Sequence, residues 1–376
     1  MPHNASQESL GFYFSFITDP RVQRTQAHCF HDILMISICA LLCGAENFVE
    51  FQRFGEAKRA WLAGFLKLPN GIPSHDTFGR VFALLDPRQF SEAFTNWTRS
   101  LRQTFSAEII AIDGKTLRRS HDRAKGREPI HMVSAWAREN GLVLGQRKVD
   151  SKSNEITAIP ELLRALDLAG AIVTIDAMGC QRQIAQVIGE AAADYVLALK
   201  GNQGCLHGEV QSFLEDAQAN GFAGVAHDFL ETTAKSHGRR ETRRYWITEE
   251  IARLTTHDQW ANLRAIGMVE STRESQGQVA TERRFYISSL GADASTFARA
   301  VRGHWAIENS LHWSLDVSFN EDQCRVRVGH AAENFAILRH LVLNLLKADT
   351  TKKVGLKAKQ KCAGWDHHYL LSLLSI

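Results

Sequence analysis

Over residues 1–100 apolar positions recur at helical spacing. Asp32-Ile-Leu-Met-Ile-Ser-Ile-Cys-Ala-Leu-Leu42 reads as a buried helix and Phe48-Val-Glu-Phe-Gln-Arg-Phe54 as an amphipathic one. Gly71-Ile-Pro-Ser74 then makes a tight turn. Ser74 is a good N-cap and Asp86-Pro87 a stop, which predicts a short capped helix carrying Arg80. Such a helix suits either a DNA groove, as in helix-turn-helix modules, or a plain helical bundle.

From Glu108 the pattern shortens to strands at 109–115, 132–136 and 142–146, and three in series suggest an antiparallel start to a sheet. A helix over 155–166, with Pro160 near its first turn, precedes a strand over 171–176, a helix over 183–189 and a strand over 195–200. Helices crossing between strands imply parallel pairing and an α/β sheet. Residues from about 205 to 290 return to helix and then alternate, with strands at 243–248, 265–270 and 284–289 around a polar 271–278 loop. This stretch reads as a β-rich insertion. Residues 334–347 form a strong amphipathic helix, and the tail to Ile376 is basic, then apolar.

Composition narrows the class. A chain of 376 residues, 44% hydrophobic and 23% charged, buries a sizeable core in two or three domains. With 44 Lys+Arg against 41 Asp+Glu, the net charge of +3 gives no global field, so local clusters must attract any anionic partner. Such clusters occur at Lys115, Arg118 and Arg119, at Arg239, Arg240, Arg243 and Arg244, at Arg283 and Arg284, and from Lys352 to Lys361. Seven Cys without a CxxC pair exclude a disulfide framework and a zinc ribbon, and suit a reducing compartment. The most apolar run, 33–43, is too short to cross a bilayer, so no membrane partner and a cytoplasmic location are expected.

The candidate chemistry centres on Arg302-Gly-His-Trp-Ala-Ile-Glu308-Asn-Ser-Leu-His-Trp-Ser-Leu-Asp316, which reads as one continuous helix. His304, Glu308, His312 and Asp316 recur every four residues along one stripe, beside an apolar stripe of Ile307, Leu311 and Leu315. A solvated surface helix has the same spacing, and a zinc site is a lesser alternative, because structural zinc recruits Cys. Asp113 and Asp176 each end an apolar strand before a turn signal, where ligands of α/β sheets gather. Each also suits a plain turn cap. Two carboxylates at one sheet edge invite Mg²⁺, with Mn²⁺ as substitute, since both take oxygen ligands. Glu308 supplies a third, enough to hold two ions about 4 Å apart for in-line phosphoryl transfer on DNA.

Five segments in order then carry a resemblance. Ile112-Asp113-Gly-Lys-Thr, Lys152-Ser-Asn-Glu-Ile-Thr-Ala-Ile-Pro, Thr174-Ile-Asp176-Ala-Met, Leu199-Lys-Gly-Asn-Gln and His304-Trp-Ala-Ile-Glu308-Asn-Ser-Leu-His-Trp resemble the H-repeat-associated insertion-sequence transposases of the DDE superfamily. Gly71-Ile-Pro-Ser-His-Asp-Thr and Glu333-Asn-Phe-Ala-Ile-Leu-Arg-His extend the likeness to nearly the whole chain. The resemblance implies a ribonuclease H-like core and a metal-binding catalytic triad of Asp113, Asp176 and Glu308. It implies metal-dependent strand cleavage and strand transfer at element ends. The alternatives are a domesticated or inactive DNA-binding copy and a nuclease without strand joining. Double-stranded DNA is the expected partner, with a homodimer on it and nucleoid association when bound.

Related transposases flank the Glu with a Tyr, an Arg and a Lys, at places held here by Val301, His304 and Leu315. Phosphate contacts are therefore expected from Lys115, Arg118, Arg119, Lys200, Asn202, Arg240, Arg243, Arg302 and His304. Of the aromatic residues Trp246, Trp305 and Trp313, core positions are expected first and a base-stacking platform second. The expected division is a helical domain over 1–100, a first core segment over 101–204, the β insertion over 205–292, the end of the core over 293–348 and a helical, basic tail over 349–376.

Overall fold

The computed structural model describes residues 10–101, 107–122, 126–150, 153–236, 239–275 and 278–375, so Lys152 of the motif above lies outside the described residues. Six helices come first: α1 (Leu10–Ser15), α2 (Phe30–Leu42), α3 (Phe48–Ala57), α4 (Arg59–Leu62), α5 (His75–Leu84) and α6 (Pro87–Ser100). Strands β1 (Ile109–Thr116), β2 (His131–Ala137) and β3 (Leu142–Val149) follow, then α7 (Glu155–Ala165), β4 (Ile172–Ile175), α8 (Arg182–Glu190), β5 (Asp194–Leu199) and α9 (Gly204–Ala219). Next come β6 (Asp228–Ser236), β7 (Arg239–Thr248), β8 (Ala265–Ser275) and β9 (Gln278–Ser288). The chain closes with α10 (Ala294–His304), a π-turn over Ile307–His312, α11 (Trp313–Phe319), α12 (Ala331–Ala348), α13 (Leu356–Trp365) and α14 (His367–Leu374). Among the described residues no helix is long and apolar enough to cross a membrane.

The nine strands form one sheet in the order β3-β2-β1-β4-β5-β9-β8-β7-β6. β1, β4 and β5 run parallel, and every other pairing is antiparallel. The expected β insertion is thus no separate layer. β9 pairs with β5 and continues the same sheet. The expected loop over 271–278 is mostly strand, since β8 runs to Ser275 and β9 starts at Gln278. Its polar sequence reflects a hairpin arm that projects beyond the core with both faces wet.

Pro160 lies inside α7, deeper than its expected first-turn place. There it removes one backbone bond while its ring is buried against the sheet.

α5 forms as the Ser74 cap predicts, with the Ser74 hydroxyl accepting from Thr77 N–H. Phe78, Val81 and Phe82 turn inward and Arg80 stays exposed, so the helix is a bundle member with Asp76 and Arg80 on its exposed side.

α12 departs most from its sequence. It reads as amphipathic, yet it is buried nearly all round, wedged between the N-terminal helices and β3. One continuous core joins Phe51, Phe82 and Phe94 of those helices to Phe335 and Leu341 of α12 and to Ile307 and Leu311 of the π-turn. Asn344 stays polar inside it because its amide binds both the N–H and the C=O of Val143, at 2.9 and 2.8 Å. That double bond fixes α12 on β3 beside the bulge, where the β2–β3 register shifts. Asn344→Leu keeps the branched shape but strands two buried backbone groups. A loss of about 2–5 kcal/mol follows, read as a lower midpoint in denaturant titration; an unchanged midpoint would refute this role.

Candidate active site

The parallel ladder between β1 and β4 ends at the pair Ile112 and Ile175. Asp113 and Asp176 hold the next position on two neighbouring strands, which run about 4.8 Å apart. β4 stops there, and one oxygen of Asp176 accepts from the N–H groups of Met178 and Gly179 at 3.1 and 3.3 Å. The turn-cap alternative is therefore realised at Asp176 with one carboxylate oxygen, and the second oxygen takes no part in that cap.

β1 does not stop. It continues through Thr116, so Gly114 is a strand residue and not the turn its sequence suggests. The glycine answers a close approach: a Cβ at position 114 would collide with Glu155 Oε1 and His131 Nε2. Those two side chains meet each other at 2.6 Å. Burial, joined by the charges of Asp176, Glu155 and Glu308, pushes the Asp113 carboxyl up to about 7 despite the Gly114 N–H that favours its ionised form.

The stretch carrying Glu308 is three segments rather than one helix. α10 ends at His304, the π-turn follows, and Trp313 N–H reaches back to the Glu308 carbonyl. Four residues of α-helix overshoot one turn by about 40°, whereas a wider π-turn undershoots it. The two errors offset, so His304, Glu308, His312 and Asp316 stay on one face. Ile307 and Leu311 anchor the turn in the core while Glu308 is exposed. His312 brings Nδ1 to 3.6 Å from Asp113 Oδ2, and burial with nearby Lys115 lowers its pKa to about 4, leaving it neutral. Asp113, Asp176 and Glu308 share one electrostatic neighbourhood. Among the described residues, however, no three of His, Cys, Asp and Glu form a ready-made metal cluster. The donors, oxygen on a partly buried edge with a raised carboxyl, suit a hard divalent cation.

The expected phosphate contacts divide. Lys115 is engaged inside the protein, its ammonium 2.7, 3.0 and 3.2 Å from Asp316, Glu321 and Asp322. Asn202 donates to Ala177 O at 2.7 Å and steadies the Asp176 loop. His304 faces Thr174 Oγ1 at 3.3 Å, and burial lowers its pKa, so it offers a phosphate no charge. Arg118, Lys200, Arg240 and Arg302 are exposed and Arg119 is half-buried. Arg118 meets Asp322 at 3.1 Å, and Arg243 meets Glu241 at 2.6 Å.

Beside the π-turn lies a cavity of about 810 Å³ walled by Arg138, Arg239, Arg243, Arg273, Arg284 and Arg302, with no carboxylate in its lining. Trp305 and Trp313 depart from the core expectation: both are exposed, whereas Trp246 is buried. Trp305 lines this cavity with the Arg284 guanidinium 5.0 Å from its ring centre. Sequence spacing missed His312 and Glu155 as neighbours of Asp113 and the pairing of Glu155 with His131. Only His312 left a signal, its place in the four-residue row.

Asp113 yields a pH test. Its folded pKa, about 7, exceeds the unfolded value, so the protonated form stabilises the metal-free fold. That contribution is fully present below about pH 4 and lost as pH rises through about 7, at most about 4 kcal/mol. The Tm advantage of Asp113→Asn over wild type should therefore widen from pH 5 to pH 8 and shrink when Mg²⁺ is added. A pH-independent difference would refute the assignment.

Comparison with known proteins identifies the family. Residues 12–98 match the family model described as DDE_Tnp_1-associated, and residues 104–345 match the transposase DDE domain. An H repeat-associated putative transposase of Escherichia coli strain K12 is 41% identical over 368 residues, 96% of this chain and 97% of that protein. A putative transposase of Escherichia coli O157:H7 is 42% identical over 374 residues, 98% of this chain and 95% of its own. An uncharacterized protein of Xanthobacter autotrophicus is 48% identical over 283 residues, 75% of this chain and 94% of its own. The chain belongs to the DDE transposase family, among its H repeat-associated members.

Proposed function

We propose that this chain cuts DNA at insertion-sequence ends and joins the freed 3′ end to target DNA, using Asp113, Asp176 and Glu308 with Mg²⁺, or Mn²⁺ in its place. The observation that carries the reading is the register of Asp113 beside Asp176, with an Asp113 carboxyl pushed up to about 7, so that it is only partly ionised near neutrality until a cation compensates its charge. A bound divalent ion supplies the activation of water or a 3′-hydroxyl and steadies the leaving oxygen. Asp113 and Asp176 hold it from the sheet edge, and Glu308 reaches it from the π-turn. Neutral His312 stands beside Asp113 without competing charge. Strands β1–β5, with two parallel crossovers after an antiparallel start, support the reading of a ribonuclease H-like core.

The arginine cavity supports DNA as the substrate. Six guanidinium groups around one cavity suit a phosphate backbone, although Arg138, Arg243, Arg273 and Arg284 also pair with Glu139, Glu241 and Glu282. Arg239 and Arg302 are assigned as contacts because no carboxylate pairs with either among the described residues. Two element ends require two protomers, so a homodimer forms on DNA. The helices before β1 serve DNA or dimer contacts.

The test is cleavage and joining of a labelled DNA bearing the element's own ends with Mg²⁺, for wild type beside Glu308→Gln. Joining should fall by at least about a hundredfold in the variant while DNA binding persists. Binding without any cleavage by the wild type would point to a domesticated copy, and cleavage without joining to a nuclease. In the same assay Arg302→Ala should weaken binding and lower its salt slope by about one; an unchanged slope would remove Arg302 from the interface.

A further inference from the structure

The π-turn bearing Glu308 is held at both ends by side chains from the two strands that bear the site aspartates. At its start, His304 Nδ1 lies 3.3 Å from Thr174 Oγ1 on β4, two residues before Asp176. Past its end, Asp316 receives the Lys115 ammonium at 2.7 Å from β1, two residues beyond Asp113. Residues two apart on a strand share a face. Lys115 therefore points the same way as Asp113, toward the π-turn and α11.

The spacings match. Asp113 meets His312 and Lys115 meets Asp316, so two strand positions, about 6.6 Å apart, are set against four helical residues, about 6 Å apart. The Lys115 end is further braced. Glu321, fully buried, takes the ammonium at 3.0 Å, and Asp322 takes it at 3.2 Å. Arg339 of α12 stands 3.6 Å from Glu321, so the cluster ties β1 to the central helix of the core as well. Burial works against a charge on Lys115, but Glu321 and Asp316 outweigh it and hold its pKa above the ordinary lysine range.

A π-turn needs such restraint. Its wide ladder relaxes to α-helix by shifting one residue, and that shift rotates the preceding chain by about 100°. Glu308 would leave the face it shares with Asp113.

We propose that Lys115 and Thr174 are positioning residues that clamp the two ends of the π-turn to the aspartate strands, fixing where Glu308 stands over Asp113 and Asp176. Lys115 then serves the metal site without touching DNA. The inference rests on the functional reading above for its consequence in metal binding, while the clamp itself is measurable without cleavage.

The experiment compares wild type, Lys115→Met, Lys115→Arg and Thr174→Val by amide hydrogen exchange over residues 307–312, by Mg²⁺ and Mn²⁺ titration of tryptophan fluorescence, and by DNA affinity at several salt concentrations. Lys115→Met should speed exchange in that segment and weaken metal binding by about tenfold or more. Its DNA affinity should stay within about twofold of wild type, with the salt slope unchanged. Lys115→Arg should restore most of the protection, and Thr174→Val should show the same defect in milder form. Should Lys115→Met fail to fold, Asp316→Ala removes the contact between Lys115 and the far end of the π-turn from a side chain that is 35% exposed, and decides the matter.

Wild-type exchange and metal affinity in these variants would overturn the clamp. A salt slope reduced by about one would overturn it too, by making Lys115 a phosphate ligand. Failure of the wild type to cut DNA refutes the functional reading alone, because exchange still reports on the clamp.

Discussion

Two carboxylates forced into adjacent register on a partly buried sheet edge are the constraint on which the rest of this structure depends. Neither can be moved without breaking the parallel ladder, since each follows directly on the last paired residue, Ile112 or Ile175. Asp113 does not take on full charge cheaply, because burial and the neighbouring acids oppose its ionisation. The surroundings are arranged to manage that conflict. His131 and Glu155 occupy the space that Gly114 leaves open, a neutral His312 approaches from the π-turn, and Lys115, on the same face as Asp113, is held by an acidic cluster of its own.

The supporting scaffold gathers parts that lie far apart in sequence. Helices from the first hundred residues and α12 near the end close one core around the base of the π-turn. The four strands after α9 extend the sheet on its other side and carry arginines back to the same turn. The acidic edge and the basic cavity therefore meet at one short segment, Ile307–His312, that belongs to neither an ordinary helix nor a loop.

Most elements were legible because their signals are local. Apolar runs marked the strands, Ser74 and Asp86 marked the ends of α5, and both aspartates stood out as the polar ends of apolar runs. What escaped depends on distant partners. Periodicity cannot tell an amphipathic helix from one wedged between two layers, as α12 is. It cannot show that Gly114 answers to Glu155, or that Lys115 is spent on Asp316, because those partners lie 41 and 201 residues away. The π-turn was hidden for a subtler reason: a row spaced by four survives the insertion of a wider turn, so the pattern looked like plain helix.

Gly114 carries a consequence for what an inventory of acidic residues can report. Any side chain at that position must displace Glu155 or His131 and so disturb their contact. One missense change there would leave all three carboxylates in the sequence while shifting the charge that Glu155 places near Asp113. The acidic residues alone would not register it.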